Sequence, residues 1–75
     1  MTVQELITQL QQLDPNLRVF NYGYEGGYHD VNRISPEVEM ALNVNDSKWF
    51  GDHEKVTSLD QEQLEGKTIV KGIII

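Results

Sequence analysis

The chain contains no cysteine and no apolar run long enough to cross a membrane. Small secreted domains commonly compensate for a thin core with disulfides, which this chain cannot form. Its apolar runs are no longer than three residues, as in Ile73-Ile74-Ile75, far short of the roughly 20 residues that span a bilayer. Residues 1–5 show neither a basic region nor an apolar signal stretch. We therefore expect a cytoplasmic protein without a membrane segment.

Basic residues are also scarce. Six Lys and Arg stand against twelve Asp and Glu, which gives a net charge of −6 and a pI near 4.6. The basic residues are scattered along the chain: Arg18, Arg33, Lys48, Lys55, Lys67 and Lys71. No basic stripe exists to neutralise phosphates, so nucleic acid is not expected as a partner. The acidic balance fits either a basic partner or simple solubility.

The remaining composition is that of a small globular protein. Hydrophobic residues make up 39% of the 75 residues and charged residues 24%, which is too apolar for a disordered chain. The length predicts one domain, covering residues 1–75. A chain this short is expected to bury only about 60% of the surface that it exposes when unfolded. Its core should be thin and its stability modest unless it self-associates.

The first residues predict an amphipathic helix over 3–13. Thr2 and Glu5 have the spacing of a capping box, in which each side chain bonds the backbone amide of the other residue. Apolar residues recur at helical spacing: Val3, Leu6, Ile7, Leu10 and Leu13. Asp14-Pro15 ends the helix, because the residue before proline is pushed out of the helical region.

Three later segments predict β-strands. Residues 17–22 are rich in β-branched and aromatic side chains, residues 37–44 alternate between apolar and polar, and residues 68–75 are mostly β-branched. Residues 31–34 are expected to be extended, 45–57 irregular, and 58–64 to form a short helical turn capped by Ser58.

This order of elements predicts an α+β fold. The N-terminal helix should pack on one face of a small, mostly antiparallel three-stranded sheet. Leu6 and Leu10 are expected to be buried against Val38, Met40 and Leu42. The last strand is apolar on both faces, which predicts an interior position or pairing with a second copy of the chain.

Two segments carry a resemblance. The start, Thr2-Val3-x-Glu5-Leu6-Ile7-x-x-Leu10-x-x-Leu13-Asp14-Pro15-x-x-x-Val19, and the later Tyr22-Gly23-Tyr24-Glu25-Gly26-Gly27-Tyr28-x-Asp30 resemble short uncharacterised bacterial and phage proteins. The similarity covers roughly the first 30 residues. It implies an accessory or phage-derived protein and brings no activity with it, since function resides in sites rather than folds.

The glycine-rich segment is the first candidate for a functional site. It lacks the spacing of a dinucleotide fingerprint and the Lys-Ser/Thr end of a P-loop, so we expect a turn whose glycines have positive φ. Tyrosine is enriched in binding surfaces, although Tyr22 is expected to cover the second face of the sheet. The proposed partner-binding residues are Tyr24, Glu25, Gly26, Gly27, Tyr28, His29, Asp30 and Trp49.

Trp49-Phe50 lies in a polar segment and has two interpretations. The pair could anchor its loop to a small satellite of the core, which we favour, or form an exposed binding hot spot. Another alternative is a metal site built by His29 and Asp30 together with the segment Asp52-His53-Glu54, although zinc sites usually show closer spacing. Ser47 and Ser58 have no nucleophile motif around them.

These patterns favour a non-enzymatic protein-interaction module without a cofactor. An inhibitor or regulator of a host protein would fit the small size, the acidity and the resemblance to phage proteins. The alternative is a small-ligand or metal-binding domain that uses the loops around residues 24–30 and 52–54. A simple enzyme is disfavoured, because 75 residues leave little room for a walled pocket.

Overall fold

A computed structural model describes residues 1–75 and confirms the α+β class. Backbone contacts divide the chain into two units, residues Met1–Asn32 and Arg33–Ile75. The first unit holds a helix and a two-stranded sheet, and the second holds a three-stranded sheet with short helical turns. The elements are α1 (Val3–Leu10), β1 (Phe20–Tyr22), β2 (Tyr28–Asp30), β3 (Val38–Ala41), β4 (Glu54–Lys55), a 3-10 turn (Val56–Ser58), α2 (Gln61–Leu64) and β5 (Ile69–Gly72).

The start of α1 is the predicted capping box. The hydroxyl of Thr2 accepts a hydrogen bond from the amide of Glu5 at 3.1 Å, and the Glu5 carboxylate accepts one from the amide of Thr2 at 3.4 Å. The α-helix ends at Leu10, three residues earlier than expected, because the chain tightens there into i to i+3 bonds. The amide of Leu13 donates to the carbonyl of Leu10 at 3.1 Å.

The expectation that Leu10 belongs to a core is wrong. Of the apolar stripe, only Leu6 is half-buried, and the others are exposed. The exposed members are Val3 (54%), Ile7 (42%), Leu10 (48%) and Leu13 (54%). The apolar stripe therefore has the spacing that is typical of a buried helix face, but most of its side chains are exposed.

The predicted first strand does not belong to the three-stranded sheet. Its last residues form β1, which pairs antiparallel with β2 in a hairpin of its own. The segment after Gly23 is not a loop throughout, because the chain returns to extended structure at Tyr28. Residues 31–34, expected to be extended, form no strand.

The three-stranded sheet has the order β4-β3-β5, and both neighbours of β3 run antiparallel to it. The predicted strand 37–44 shortens to Val38–Ala41, because Asn43 turns the chain with a φ of +54°. The irregular segment contains the unpredicted β4. In the second helical turn, Asp60 and not Ser58 supplies the cap, accepting from the amide of Gln63 at 2.9 Å.

The last strand is at the edge of the sheet and not in its interior, which corrects one of the two alternatives for it. β5 pairs with β3 in the register Val38 to Gly72 through Ala41 to Ile69. Beyond the strand, Pro36 has no amide hydrogen to donate. Ser35 takes over there: its amide donates to the carbonyl of Ile74 at 2.9 Å, and its hydroxyl accepts from the amide of Ile74 at 2.7 Å.

Burial is sparse. Ala41 is the one buried residue and lies between Glu54 and Ile69 in the sheet, although it occupies the same alternating positions as the polar Glu37 and Glu39. The apolar face of β3 is only half-buried, at Val38 and Met40. The accessible surface is 7000 Å². Two separate compact bodies the size of these units would together expose only roughly 5,600 Å².

Candidate interaction site

The hairpin of β1 and β2 closes on a glycine-rich loop. The strands pair Phe20 with Asp30 and Tyr22 with Tyr28, and the amide of Gly23 donates to the carbonyl of Gly27 at 2.9 Å. Between these residues the chain takes three successive positive φ angles: +63° at Glu25, +140° at Gly26 and +66° at Gly27. The prediction of a turn with glycines at positive φ is confirmed.

Gly23 has a different reason to be glycine. A Cβ built on it would lie 2.5 Å from the carbonyl oxygen of Gly26, closer than two such atoms can approach. At Gly26 and Gly27 there is open space, and the positive φ alone selects glycine. The loop shape thus depends on steric room at one position and on backbone conformation at two others.

Aromatic side chains line one face of this hairpin. Phe20 and Tyr22 alternate with Asn21 on β1 and share a face, and Tyr28 lies directly across from Tyr22. The rings of Tyr22 and Tyr28 are tilted by 35° with centroids 5.5 Å apart, a favourable aromatic pair. Tyr22 is 85% exposed, Tyr28 70%, and Tyr24 in the loop 91%. The three tyrosines therefore present their rings to solvent.

At the open end of the hairpin, Asp30 is held by Arg18. The guanidinium donates from Nε to Oδ1 and from Nη2 to Oδ2, both at 2.8 Å, which is the bidentate geometry of an arginine–carboxylate pair. The same guanidinium carbon lies 5.7 Å from the centre of the Phe20 ring, within cation–π distance. Asp30 thus fixes the base of the hairpin, in addition to the partner role predicted for it.

The remaining predicted residues of the segment are separated from the aromatic face. His29 lies across from Asn21, on the face opposite to the tyrosines. Glu25 sits in the loop beside Gly26 and is exposed. The structure thus places Tyr28 and Asp30 on one face with Phe20 and Tyr22, and His29 on the other.

Trp49 lies in the second unit, in the loop that joins β3 to β4. Two bonds from the side chain of Asn45 brace this loop, to the carbonyl of Gly51 at 2.8 Å and to Oε1 of Glu54 at 3.0 Å. At the tip, Trp49 is 92% exposed and Phe50 67% exposed. The favoured interpretation, that this pair anchors the loop to the core, is wrong, because neither side chain is covered.

The side chains considered for a metal site do not form one. No group of three or more His, Asp or Glu residues is placed to hold a metal ion. His53 uses Nδ1 to accept a hydrogen bond from the amide of Asn43 at 2.9 Å, which stabilises the backbone at the positive φ of Asn43. Asp30 is engaged by Arg18. These contacts give structural roles to residues that had been considered as ligands.

Three members of the aromatic face are not predicted from the sequence: Arg18 and Phe20 carry no expected role, and Tyr22 is expected to cover the second face of the sheet. A signal existed in the alternation of Arg18, Phe20 and Tyr22, which places the three side chains on one side of a strand. The alternation alone does not reveal the full face, because only the hairpin register places Asp30 across from Phe20 and Tyr28 across from Tyr22.

Comparisons of the chain with protein-family models, with curated proteins and with solved structures found no match. The resemblance to short bacterial and phage proteins therefore stays a prediction. No helix is long and apolar enough to span a bilayer.

Proposed function

We propose that the chain is a non-enzymatic protein-interaction module that binds a protein partner through the aromatic face of its hairpin. The exposure of Tyr22, Tyr24 and Tyr28 carries this proposal. Tyrosine rings this exposed become buried only when a partner covers them. Tyrosine also contributes a large contact area for little loss of conformational freedom.

The hairpin also holds its aromatic face in a defined shape. The bidentate Arg18–Asp30 pair fixes one end and the Gly23–Gly27 bond closes the other. A surface that is shaped before binding loses less entropy on association. This arrangement supports recognition of a folded partner surface over a role as a flexible tether.

The charge of the hairpin indicates the chemistry of the partner. Residues 19–32 contain no Lys or Arg. Because Arg18 neutralises Asp30, the carboxylate of Glu25 beside the tyrosines is left without a counter-charge in the loop. We expect a partner surface with an apolar depression for the rings and a basic group at its rim.

Trp49 is a separate contact residue in our proposal, on the braced loop of the second unit. Trp leads the residues found at binding hot spots. An accessory or phage-derived regulator of a host protein is the biological role that we propose for such a module.

The test is affinity capture from host lysate with four baits: the parent chain, a Tyr24→Ala/Tyr28→Ala variant, Tyr28→Phe and Ile34→Ala. Tyr28→Phe keeps the ring pair with Tyr22, and Ile34 is a 60% exposed apolar side chain outside the hairpin. We expect one protein to be captured by the parent, Tyr28→Phe and Ile34→Ala baits and lost from the double variant.

The captured protein would then be purified and titrated against each variant by calorimetry. Each tyrosine-to-alanine change should weaken binding by about 1–3 kcal/mol, the range of an aromatic anchor. Binding that is unchanged in the double variant would overturn the proposal for the aromatic face. Binding lost only in Trp49→Ala would move the site to the loop between β3 and β4.

A further inference from the structure

The outer edge of β5 is a row of backbone groups with no strand beside it. In the sheet order β4-β3-β5, β5 has β3 on one side only. The amide of Leu42 donates to the carbonyl of Thr68, and that of Ser35 to the carbonyl of Ile74. Even-numbered residues of this segment therefore face β3. By the alternation of an antiparallel ladder, the backbone groups of Ile69, Lys71 and Ile73 face outward.

Of the features that usually prevent edge pairing, this edge has only one charged side chain, Lys71. The opposite edge is protected, because β4 is only two residues long and both are charged, Glu54 and Lys55. Along β5 and the residues that follow it, Ile73-Ile74-Ile75, the side chains are apolar apart from Lys71 and Gly72. Ile69 is 44% exposed, Val70 40% and Ile73 38%. A half-exposed, β-branched edge of this kind is a template for another strand.

We propose that two copies of the chain pair antiparallel along β5, around a two-fold axis that passes between the two Gly72 residues. The partner strand belongs to a second copy of the chain, because the edge of β5 is self-complementary. With Gly72 opposite Gly72, Val70 lies opposite Ile74 of the second copy, and Lys71 lies opposite Ile73. Three-stranded sheets of both copies then join into one six-stranded sheet, and the interface is isologous.

Hydrogen bonding and charge select this register. Because the outward-facing residues must form the hydrogen-bonded pairs, the axis must pass through a residue that lies opposite its own copy. Val70, Lys71 and Gly72 are such positions near the middle of residues 68–75. An axis at Lys71 sets two ammonium groups directly opposite each other, which is unfavourable. An axis at Val70 leaves Ile73 and Ile74 facing Lys67 and Gly66. The axis at Gly72 avoids both arrangements and places the β-branched side chains of Val70 and Ile74 opposite each other.

Gly72 itself fits the position on the axis. Residues in a non-hydrogen-bonded antiparallel pair have Cα atoms about 4.5 Å apart. A Cβ added to Gly72 would meet nothing within 4 Å in its own chain, and its φ is not positive. The protomer therefore does not require glycine at this position for conformation or for space.

The first test is sedimentation velocity over a range of about 1 μM to 1 mM, since a short strand pairing is a small interface. We expect a monomer–dimer equilibrium. Ile73→Lys should weaken it at least tenfold, because the introduced ammonium group would face Lys71 of the second copy. Ile73 is 38% exposed within its own chain, so folding should persist. The matched control is Ile34→Lys, an exposed isoleucine of the same unit, which should dimerise like the parent.

The second test reads the register from single cysteines, which is possible because the chain has none of its own. Gly72→Cys should cross-link to a disulfide dimer under mild oxidation, since Cα atoms about 4.5 Å apart suit a disulfide. Val70→Cys, Lys71→Cys and Ile34→Cys should cross-link less. Preferential cross-linking at 70 or 71 would overturn the proposed register. A parent chain that stays monomeric throughout the range would overturn the dimer.

Discussion

At the scale of single residues, the sequence predicts the structure where one side chain, or the lack of one, determines the local backbone conformation. Thr2 and Glu5 predict the start of α1 because the capping bonds are local, and the bonds are formed. Positive φ at Gly26 and Gly27 follows from the glycine cluster. The steric role of Gly23 does not, because it depends on where the loop returns four residues later.

The glycines of the hairpin should differ in their response to alanine. Gly23→Ala should open the hairpin, because its Cβ would displace the carbonyl of Gly26. Gly27→Ala should cost about 1 kcal/mol through its positive φ. Gly51→Ala is the control, since Gly51 has open space and no positive φ. Amide chemical shifts of residues 20–30 measure the effect. Equal responses at 23 and 51 would contradict the loop geometry.

The capping box gives a second prediction at this scale. Thr2→Ala should destabilise α1 by about 1 kcal/mol, because the amide of Glu5 loses its acceptor. Thr2→Ser keeps a hydroxyl and should be nearly neutral. Amide exchange of residues 4–8 provides the readout, since the effect is local to the helix. Unchanged exchange in Thr2→Ala would mean that the cap does not stabilise the helix in solution.

At the scale of elements, the sequence predicts the type of element better than its bounds or its partner. Helix α1 and strands β1, β3 and β5 all lie within predicted segments. β2 and β4 were missed, because Tyr28-His29-Asp30 and Glu54-Lys55 are polar and short and become strands only through pairing. The edge position of β5 was also not predictable, since its partner β3 is some 30 residues distant and no local pattern records the order of strands.

The hairpin provides a prediction about an element. Tyr22→Ala and Tyr28→Ala should each weaken the hairpin, and the double-mutant cycle should show a coupling of about 0.5–1.5 kcal/mol from the ring pair. Tyr24→Ala should leave hairpin stability unchanged, because its side chain is 91% exposed. The cycle is measured by thermal melts of the four variants. A coupling near zero would show that the rings do not interact in solution.

At the scale of the whole molecule, the most informative quantity is the large surface that stays accessible to solvent after folding. An unfolded chain of 8.6 kDa exposes roughly 12,500 Å², so a surface of 7000 Å² means that folding buries about 45% of it, against the roughly 60% expected for this length. Composition could not reveal this, because 39% hydrophobic residues are compatible with either value. The difference lies in the placement of the apolar side chains: those of α1 other than Leu6, and Ile69 and Val70 of β5, remain exposed.

This low burial predicts a shallow response to denaturant. The urea m-value scales with the surface exposed on unfolding, so it should be about three-quarters of that of compact proteins of equal length. Equilibrium urea titration at low protein concentration, followed by circular dichroism, measures it. The Ile73→Lys variant is the appropriate reference, because self-association would add buried surface. An m-value as large as that of a compact domain would contradict the low burial.

The separation of β3 from β5 along the chain has a consequence during synthesis. The hairpin pairs residues only six positions apart at its loop end, Tyr22 with Tyr28, and such pairings form in about 1–10 μs. Val38 finds its partner at Gly72, and ribosomes add roughly 5–20 residues per second. A newly made β3 therefore waits on the order of seconds for β5 to emerge. Throughout that interval the nascent chain carries a finished hairpin and an unpaired central strand, which is the state that a chaperone would encounter.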